Sequence, residues 1–522
     1  MLARLRHWWQ RLSRSQRWAL LAGFVATIVR LSLVGKGTMA FIDERRYITA
    51  MLGLRELCAG HGLAFLQAIH SMGARPGDGL WRVIPGLGQA VLLLGFGLNP
   101  NSPPSLQVPQ VFNVLVISLN ALLLYKIYRR FFSVGLALMG VALYSSLVNT
   151  NVYLRHLLPY DHALFFFLWA LWVLLSAPES GRLLRYVLVG LLGGISYAVY
   201  PGYFMGPALL LLVGTAQQLA ARAGAGRAGR IWPLVVQLGS FLAVLVLFEL
   251  SARVSNTSYF ASSRYIAGTI TQGSFAEGFS FIGHYYWLVE SWLGVGLLLL
   301  FTAGLVMCLW TLPTFFKPNT RSSIISVELL SMVVGAFAAW LTYACLVAVG
   351  HKLVFYGRIL HFFAPFVVLG ALVALQAASQ RRRARWLVAV GLVVAAGSFA
   401  HFVRDYRRVE YPCDVVYQLG ILDSRQLVAS QTNVCESNVL TYRLFGPAIR
   451  NQPIRLTPRF RLVNFAYLYP IACYRPLALD SVRVVASAPY FMKYMPYQFE
   501  GHSPAERVIL QSHKFDFKVV AE

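Results

Sequence analysis

The sequence has few charged residues and very few acidic ones. Asp, Glu, Lys and Arg make up 13% of its 522 residues, whereas soluble globular proteins carry about 25%. Apolar residues make up 57% of the chain. This composition argues against a soluble globular protein. It predicts a polytopic α-helical membrane protein instead.

The charge that is present is mostly basic. There are 46 Lys and Arg residues against 20 Asp and Glu, which gives a net charge of +26. Such a balance can indicate nucleic-acid binding. Here the basic residues lie in short clusters between apolar runs, which is typical of the cytoplasmic loops of membrane proteins. We therefore expect no nucleic-acid partner.

Several catalytic and redox motifs are also missing. The six cysteines form no CxxC pair, and the carboxy-terminal region has neither a glycine-rich phosphate loop nor a nucleophile elbow. Cys308 and Cys345 lie in apolar runs, where we expect them to be buried. Cys413, Cys435 and Cys473 allow at most one disulfide and a free thiol, and the sequence does not say which two would pair.

Long apolar runs are what the chain has in abundance. About eleven of them approach the roughly 20 residues that a membrane span needs. They lie near 18–35, 108–125, 133–151, 161–177, 185–200, 203–220, 231–250, 286–310, 325–349, 359–378 and 386–402. A further run, 80–98, is interrupted by prolines and glycines, which favours a broken or interfacial segment.

The basic clusters predict the orientation of these spans. All of these clusters lie on the cytoplasmic side only if 80–98 does not cross the membrane. The amino terminus is then cytoplasmic and the carboxy terminus extracytoplasmic. We expect residues 36–107 to form one large outer loop with juxtamembrane helices, within a transmembrane module at 1–403. We expect residues 404–522 to form a small extracytoplasmic α/β domain. It would have strands near 427–429, 482–488 and 515–520 and a helix starting at Ser503.

This topology places several charged side chains at the outer face. They are Asp43, Glu44, Arg155, Asp161, Lys352 and Arg358. Carboxylates at a span mouth can act as a general base or bind a divalent cation, and Arg or Lys can bind a phosphate. Together they could displace a lipid-phosphate leaving group from a sugar. Arg30 lies inside the first span, where it either snorkels or faces a cavity.

Simpler explanations exist for each of these residues. Arg45 and Arg46 could neutralise Asp43 and Glu44 at the interface. Asp161 could cap the helix that follows it. Lys352 and Arg358 could snorkel to lipid headgroups.

Three motifs resemble those of the GT-C glycosyltransferases that use polyprenyl-phosphate sugar donors, such as protein O-mannosyltransferases and the lipid A aminoarabinose transferase. Asp43-Glu44-x-x-Tyr47 is similar to their acidic first-loop motif. Leu158-Pro159-Tyr160-Asp161 is similar to their second acidic position. Lys352-x5-Arg358-Ile359-Leu360-His361-x3-Pro365 resembles their late basic turn, although Ile359 and His361 stand where Tyr and Pro are usual.

The resemblance implies a role for each matching residue. Asp43 would be the catalytic base and Glu44 its neighbour. Asp161 would be a second carboxylate, which with Asp43 could hold a divalent cation, since members of the family differ in whether they depend on a metal. Lys352 and Arg358 would bind the donor phosphate, and we add Arg155 because it lies on the same face.

The function implied by the resemblance is transfer of a sugar from a polyprenyl-phosphate donor at the outer face of a bacterial inner membrane. The acceptor would be a lipid, a glycan or a protein. A secondary transporter is an alternative, but the sequence shows no repeat symmetry and its ionisable groups gather at one mouth. A lipid-linked polysaccharide polymerase or ligase is another, and the acidic first loop argues against it.

Cysteine labelling tests the predicted topology. A single cysteine introduced within 99–107 should react with a membrane-impermeant maleimide from outside intact cells, because 80–98 is predicted not to cross. A cysteine within the basic loop 221–229 is the control and should react only in inside-out vesicles. Labelling of 99–107 from the cytoplasm alone would make 80–98 a true span.

Overall fold

The computed structural model describes most of the helical part of the chain and a small sheet. The described residues are 14–36, 53, 56–71, 91, 95, 97, 107–176, 182–220, 227–270, 283, 285–315, 325–349, 357–379 and 384–408, together with four short strands. Asp43, Glu44 and Lys352 lie outside these ranges, as do most of 80–98 and the cysteines at 413, 435 and 473.

Fourteen α-helices lie in the described residues. The first seven are α1 (Arg14–Leu31), α2 (Gly62–Ser71), α3 (Gln107–Phe131), α4 (Val134–Ser146), α5 (Val148–Asn151), α6 (Tyr160–Ser176) and α7 (Arg182–Val199). The remaining seven are α8 (Met205–Ala220), α9 (Arg227–Val254), α10 (Tyr259–Ile270), α11 (Ser291–Phe315), α12 (Val327–Ala348), α13 (Gly357–Ser379) and α14 (Ala384–Tyr406). Short turns of other helix types precede α8 and α11 and follow α5.

Each predicted apolar run coincides with one of these helices. Within the described ranges, six helices are long and apolar enough to span a membrane by themselves, and the bent pair formed by Val134–Ser146 and Val148–Arg155 would be a seventh span. Helices α6 and α7 and the apolar part of α1 are shorter. The protein is therefore an integral, multi-pass, helical membrane protein, as predicted. The count of eleven spans stays a prediction.

Helix α13 lies at the centre of the bundle. In the apolar 18-residue stretch of α13, 83% of the residues are buried, whereas only 17% are buried in the corresponding stretches of α9 and α14. The outward faces carry tryptophans, including Trp292 and Trp310, which are 77% and 82% exposed. These two lie on α11, and their separation of 18 residues corresponds to about 27 Å of helix. That is close to the thickness of a hydrocarbon core, with one Trp for each interface.

One sequence expectation about the helices is wrong. Cys345 is exposed, whereas Cys308 is buried as expected. Cys345 shares the outward face of α12 with Leu341 and Val349, which are both exposed, so an apolar run did not imply an interior position.

Helix α10 lies between two of the predicted spans, 231–250 and 286–310. It begins where Ser258 accepts a hydrogen bond from the Ala261 amide (3.1 Å).

The four strands form one sheet in the order β1 (Leu427–Ala429), β2 (Phe460–Val463), β4 (Asp516–Ala521) and β3 (Val484–Pro489). β1 and β2 are parallel, and β4 is antiparallel to both of its neighbours. Strands β1, β3 and β4 match the predicted strands. β2 was not predicted. The predicted helix at Ser503 lies outside the described residues, and the domain division stays a prediction.

The contact between α11 and α13 depends on two glycines. A Cβ atom at Gly304 would overlap the backbone carbonyl of Gly370. Neither backbone can make room for the added atom unless its whole helix moves. Small residues allow helices to approach closely inside a membrane, where dispersion contacts replace the hydrophobic driving force.

We predict that Gly304→Leu lowers the thermal stability of the purified protein in detergent, because the larger side chain must separate α11 from α13. Overpacking of this kind costs about 1–3 kcal/mol or more. The matched control is Gly296→Leu on the same helix, since a Cβ there meets no atom within 4 Å. Equal melting temperatures for the two variants would contradict the close contact.

Candidate active site

The site is built around the bend between α4 and α5. Leu147 adopts an extended conformation there, and the helix axis turns by 70°. The break exposes amide groups that have no partner within the helix. The buried carboxylate of Glu290 accepts hydrogen bonds from the amides of Val148 and Asn149, each at 2.7 Å. A carboxylate at the start of a helix is favoured by the helix dipole, so Glu290 stabilises the bend.

Asn149 connects this bend to α13. Its Nδ2 donates to the Tyr285 hydroxyl (2.6 Å) and to the carbonyl of Gly357 (2.9 Å). Its side-chain and backbone oxygens both face Nδ1 of His361, at 3.1 and 3.2 Å. One buried amide therefore fixes the start of α13 relative to the bend.

Asp161 lies in the first turn of α6 and is 3% exposed. Its Oδ1 is 3.2 Å from Nε2 of His361, a direct contact without hydrogen-bond alignment. Asn120 of α3 donates to the backbone carbonyl of Asp161 (3.0 Å). The position is compatible with a cap on α6, but the side chain points to His361 on another helix.

Arg358 meets the same region from the start of α13. Its Nη1 donates to the hydroxyl of Tyr160 (3.1 Å), the residue before Asp161. The Tyr203 hydroxyl donates to the backbone carbonyl of Arg358 (3.1 Å). The predicted residues Asp161 and Arg358, which are far apart in sequence, thus lie at one end of the bundle and are linked through Tyr160.

Arg155 is buried in a different way. Its Nε donates to the carbonyl of Leu33 (2.7 Å), and its Nη1 donates to the carbonyl of Tyr406 (3.0 Å). The guanidinium also lies over the Tyr406 ring, 4.1 Å from its centroid. Arg155 therefore joins the ends of α1 and α14 to the segment after α5, which is the geometry of a structural anchor.

Arg30 is a second buried arginine near the bend. Its Nε donates to Oδ1 of Asn151 (2.8 Å), and its Nη2 donates to the carbonyl of Ser145 (2.9 Å). Only 2% of it is exposed. Arg30 consequently faces the interior and does not snorkel.

The base of the predicted first outer loop is attached next to this site. Gln110 of α3 accepts from the Gly35 amide (2.7 Å) and donates to the carbonyls of Lys36 and Arg155 (both 2.9 Å). Asn113, one turn later, donates to the carbonyl of His156 (2.6 Å). The chain that leads to Asp43 and Glu44 therefore departs from beside Arg155.

The described residues do not by themselves form a metal site. Among the parts of the chain that the structure describes, no three His, Cys, Asp or Glu side chains are grouped to hold an ion. Asp161 and His361 offer two donors, which contact each other. The predicted cation site also needs Asp43, which lies outside the described ranges.

Three members of the cluster, His361, Asn149 and Glu290, were not among the predicted site residues, although His361 stands in the third motif. His361 follows Arg358 by three residues, so the two share a helix face, and this spacing was a usable signal. The run Asn149-Thr150-Asn151 is a polar interruption at the end of an apolar segment. Nothing in the sequence joins Glu290 to the bend, because that contact spans 142 residues.

Arg155→Lys separates the anchoring role of Arg155 from phosphate binding. A lysine keeps the charge but loses the planar fork and most of the stacking on Tyr406. We expect a fall in melting temperature that corresponds to about 2 kcal/mol, the scale of a lost charged hydrogen bond. Donor KM should change little. The control is Arg404→Lys, since the Arg404 side chain is 62% exposed. A stable variant with a raised donor KM would favour phosphate binding instead.

Comparison with known proteins gives structural similarity alone. No known sequence family and no curated protein match the chain. ArnT from Cupriavidus metallidurans, solved with undecaprenyl phosphate, aligns over 97% of this chain and 97% of its own, with a TM-score of 0.53 and 14% identity. This likeness supports the fold over nearly the whole length.

The oligosaccharyltransferase of Archaeoglobus fulgidus is more distant. Its complex with zinc and sulfate aligns over 84% of this chain and 57% of its own, with a TM-score of 0.46 and 12% identity. Its complex with an inhibitory peptide and a dolichol phosphate aligns over 85% of this chain and 60% of its own, with a TM-score of 0.46 and 13% identity. The chain thus spans less than two thirds of that enzyme. The chain therefore has a polytopic helical fold similar to that of ArnT.

Proposed function

We propose that the protein transfers a sugar from a polyprenyl-phosphate donor to an acceptor at the extracytoplasmic face of a bacterial inner membrane. The observation that carries the proposal is that Arg358 donates to the hydroxyl of Tyr160, the residue before Asp161, so that both predicted residues lie at one end of the bundle. It occurs in a chain whose fold is similar to that of ArnT, which was solved with undecaprenyl phosphate. A buried carboxylate and a half-buried arginine at the same end of the bundle suit a reaction in which phosphate leaves and a proton is removed.

In the proposed reaction an acceptor hydroxyl or amine attacks the anomeric carbon of the donor sugar. The bond between that carbon and the phosphate oxygen breaks, and the electron pair leaves with the polyprenyl phosphate. Asp43 takes the proton from the acceptor, with Glu44 as its neighbour. Arg358 and Lys352 stabilise the negative charge that grows on the phosphate.

Chain length supports bringing Asp43 to this site. Lys36 is held by Gln110, which also binds the carbonyl of Arg155. Asp43 is seven residues after Lys36, and an extended chain of that length reaches at most about 25 Å. By the same reasoning Lys352 is only six residues before Arg358. Both residues can therefore reach the end of the bundle where Asp161 lies.

The remaining assignments are part of the same proposal. Asp161 is the second carboxylate and orients the reacting groups, and with Asp43 it could hold a divalent cation. We place the phosphate contact on Arg358 before Arg155, because Arg155 already donates to two backbone carbonyls. The acceptor is a lipid, a glycan or a protein, and membrane lipid surrounds the site.

The proposal predicts that Asp43→Asn abolishes release of polyprenyl phosphate from a lipid-linked sugar, since the amide of Asn cannot act as the base that takes the acceptor proton. Arg358→Leu should lower kcat about 100- to 1000-fold, the scale of one lost charge-stabilising donor. Both variants should remain folded and inserted. The measurement is phosphate-lipid release by purified protein in detergent with an acceptor present.

The matched control is Glu56→Gln, which removes a carboxylate within the same predicted loop. The Glu56 side chain is 44% exposed and lies 3.2 Å from His61. It should keep wild-type turnover. Near wild-type release by purified Asp43→Asn would refute the catalytic assignment of the first loop.

A further inference from the structure

His361 lies in the second turn of α13, and none of its side chain is exposed. Each ring nitrogen faces a different polar group, Asn149 on one side and Asp161 on the other. The Tyr153 ring packs edge-on against the imidazole, with centroids 5.8 Å apart. The ring is therefore enclosed, and its orientation is set by these neighbours.

The hydrogen bonds of Asn149 decide which imidazole nitrogen carries hydrogen. Nδ2 of Asn149 donates to the carbonyl of Gly357, which can only accept, so the amide orientation is fixed. Its Oδ1 and its backbone carbonyl then both face Nδ1 of His361. Two acceptors require a donor between them, and Nδ1 must carry a hydrogen.

The opposite nitrogen then has a defined relation to Asp161. Nε2 lies 3.2 Å from Oδ1 of Asp161, and neither atom has a hydrogen-bond partner among the described residues. The edge of the imidazole opposite Asn149 is therefore directed at the Asp161 carboxylate. His361 is thus held at one edge and free to direct Asp161 with the other.

We propose that His361 is a positioning residue for Asp161, and that Asn149, fixed by Glu290 at the bend, holds His361 in place. A path of direct contacts runs from Glu290 through Asn149 and His361 to the Asp161 carboxylate. The inference rests on the proposed transferase function. It adds a role that the resemblance does not supply, since the similar motif of the GT-C glycosyltransferases usually has proline at the position of His361. Misplacing a reacting group by about 1 Å can cost about 100-fold in rate.

Two substitutions that each copy one imidazole nitrogen test the proposal. In His361→Gln the amide nitrogen takes the place of Nε2, and in His361→Asn it takes the place of Nδ1. We expect His361→Gln to stay within about 10-fold of the wild-type kcat. His361→Asn should lose about 100-fold in kcat with donor KM unchanged. The control is His401→Gln, because the His401 side chain is 57% exposed.

The outcomes separate positioning from a purely structural role. If His361→Asn kept its activity while His361→Gln lost it, the contact with Asn149 alone would matter and the proposal would be overturned. Equal activity of both variants would overturn it as well. A wild-type protein that releases no polyprenyl phosphate would instead refute the proposed function, and this inference with it.

Asn149→Ser gives an independent test if the substitutions at 361 prevent folding. Serine removes the Oδ1 acceptor but leaves the backbone carbonyl that also faces Nδ1. The imidazole should then be held less firmly, and kcat should fall about 10-fold at constant donor KM. An unchanged kcat in a folded Asn149→Ser protein would overturn the proposal.

Discussion

The carboxylate of Glu290 and the two amides that it accepts are the interaction on which the site depends. Breaking a helix inside an apolar bundle leaves backbone groups without water to satisfy them, and each such group costs several kcal/mol in a membrane. Glu290 satisfies two of them at 2.7 Å. The bend thereby turns Asn149 toward α13 and the following segment toward α1 and α14. Without it, α4 would run straight and the side chains of 149–155 would not face the other helix ends.

The helix ends at this bend are joined by polar contacts rather than by apolar packing alone. Asn149, Arg30, Arg155, Gln110 and Asn113 each donate to carbonyls or amides on another element. Hydrogen bonds to backbone carbonyls are directional, so they define the relative positions of the ends more narrowly than side-chain packing does. A rigid frame of this kind suits a reaction centre, because catalytic groups must be held to within about 0.5 Å of the productive geometry.

Much of the fold could be predicted from the sequence. The apolar runs matched helices because a membrane span needs a long run of apolar residues, which composition reveals directly. Asp161 and Arg358, which were selected from the sequence, lie at the same end of the bundle. The contacts that hold this end together could not be predicted, since a contact such as that between Asn149 and Gly357 spans 208 residues and leaves no periodic trace in the sequence. Arg155 illustrates the same limit. A basic residue next to a span gives the same sequence pattern whether its side chain binds a phosphate or backbone carbonyls.

The sequence alone determined the class of the protein, the positions of its helices and the set of charged residues gathered near helix ends. These features follow from hydropathy and local charge, which are properties of short segments. Only the tertiary structure decided which of those charges meet. His361 contacts Asp161, Arg358 reaches Tyr160, and Arg155 turns to Leu33 and Tyr406. Such pairings depend on the angle of one bend and on the packing of distant helices, because a hydrogen bond forms only where both partners arrive within about 3 Å.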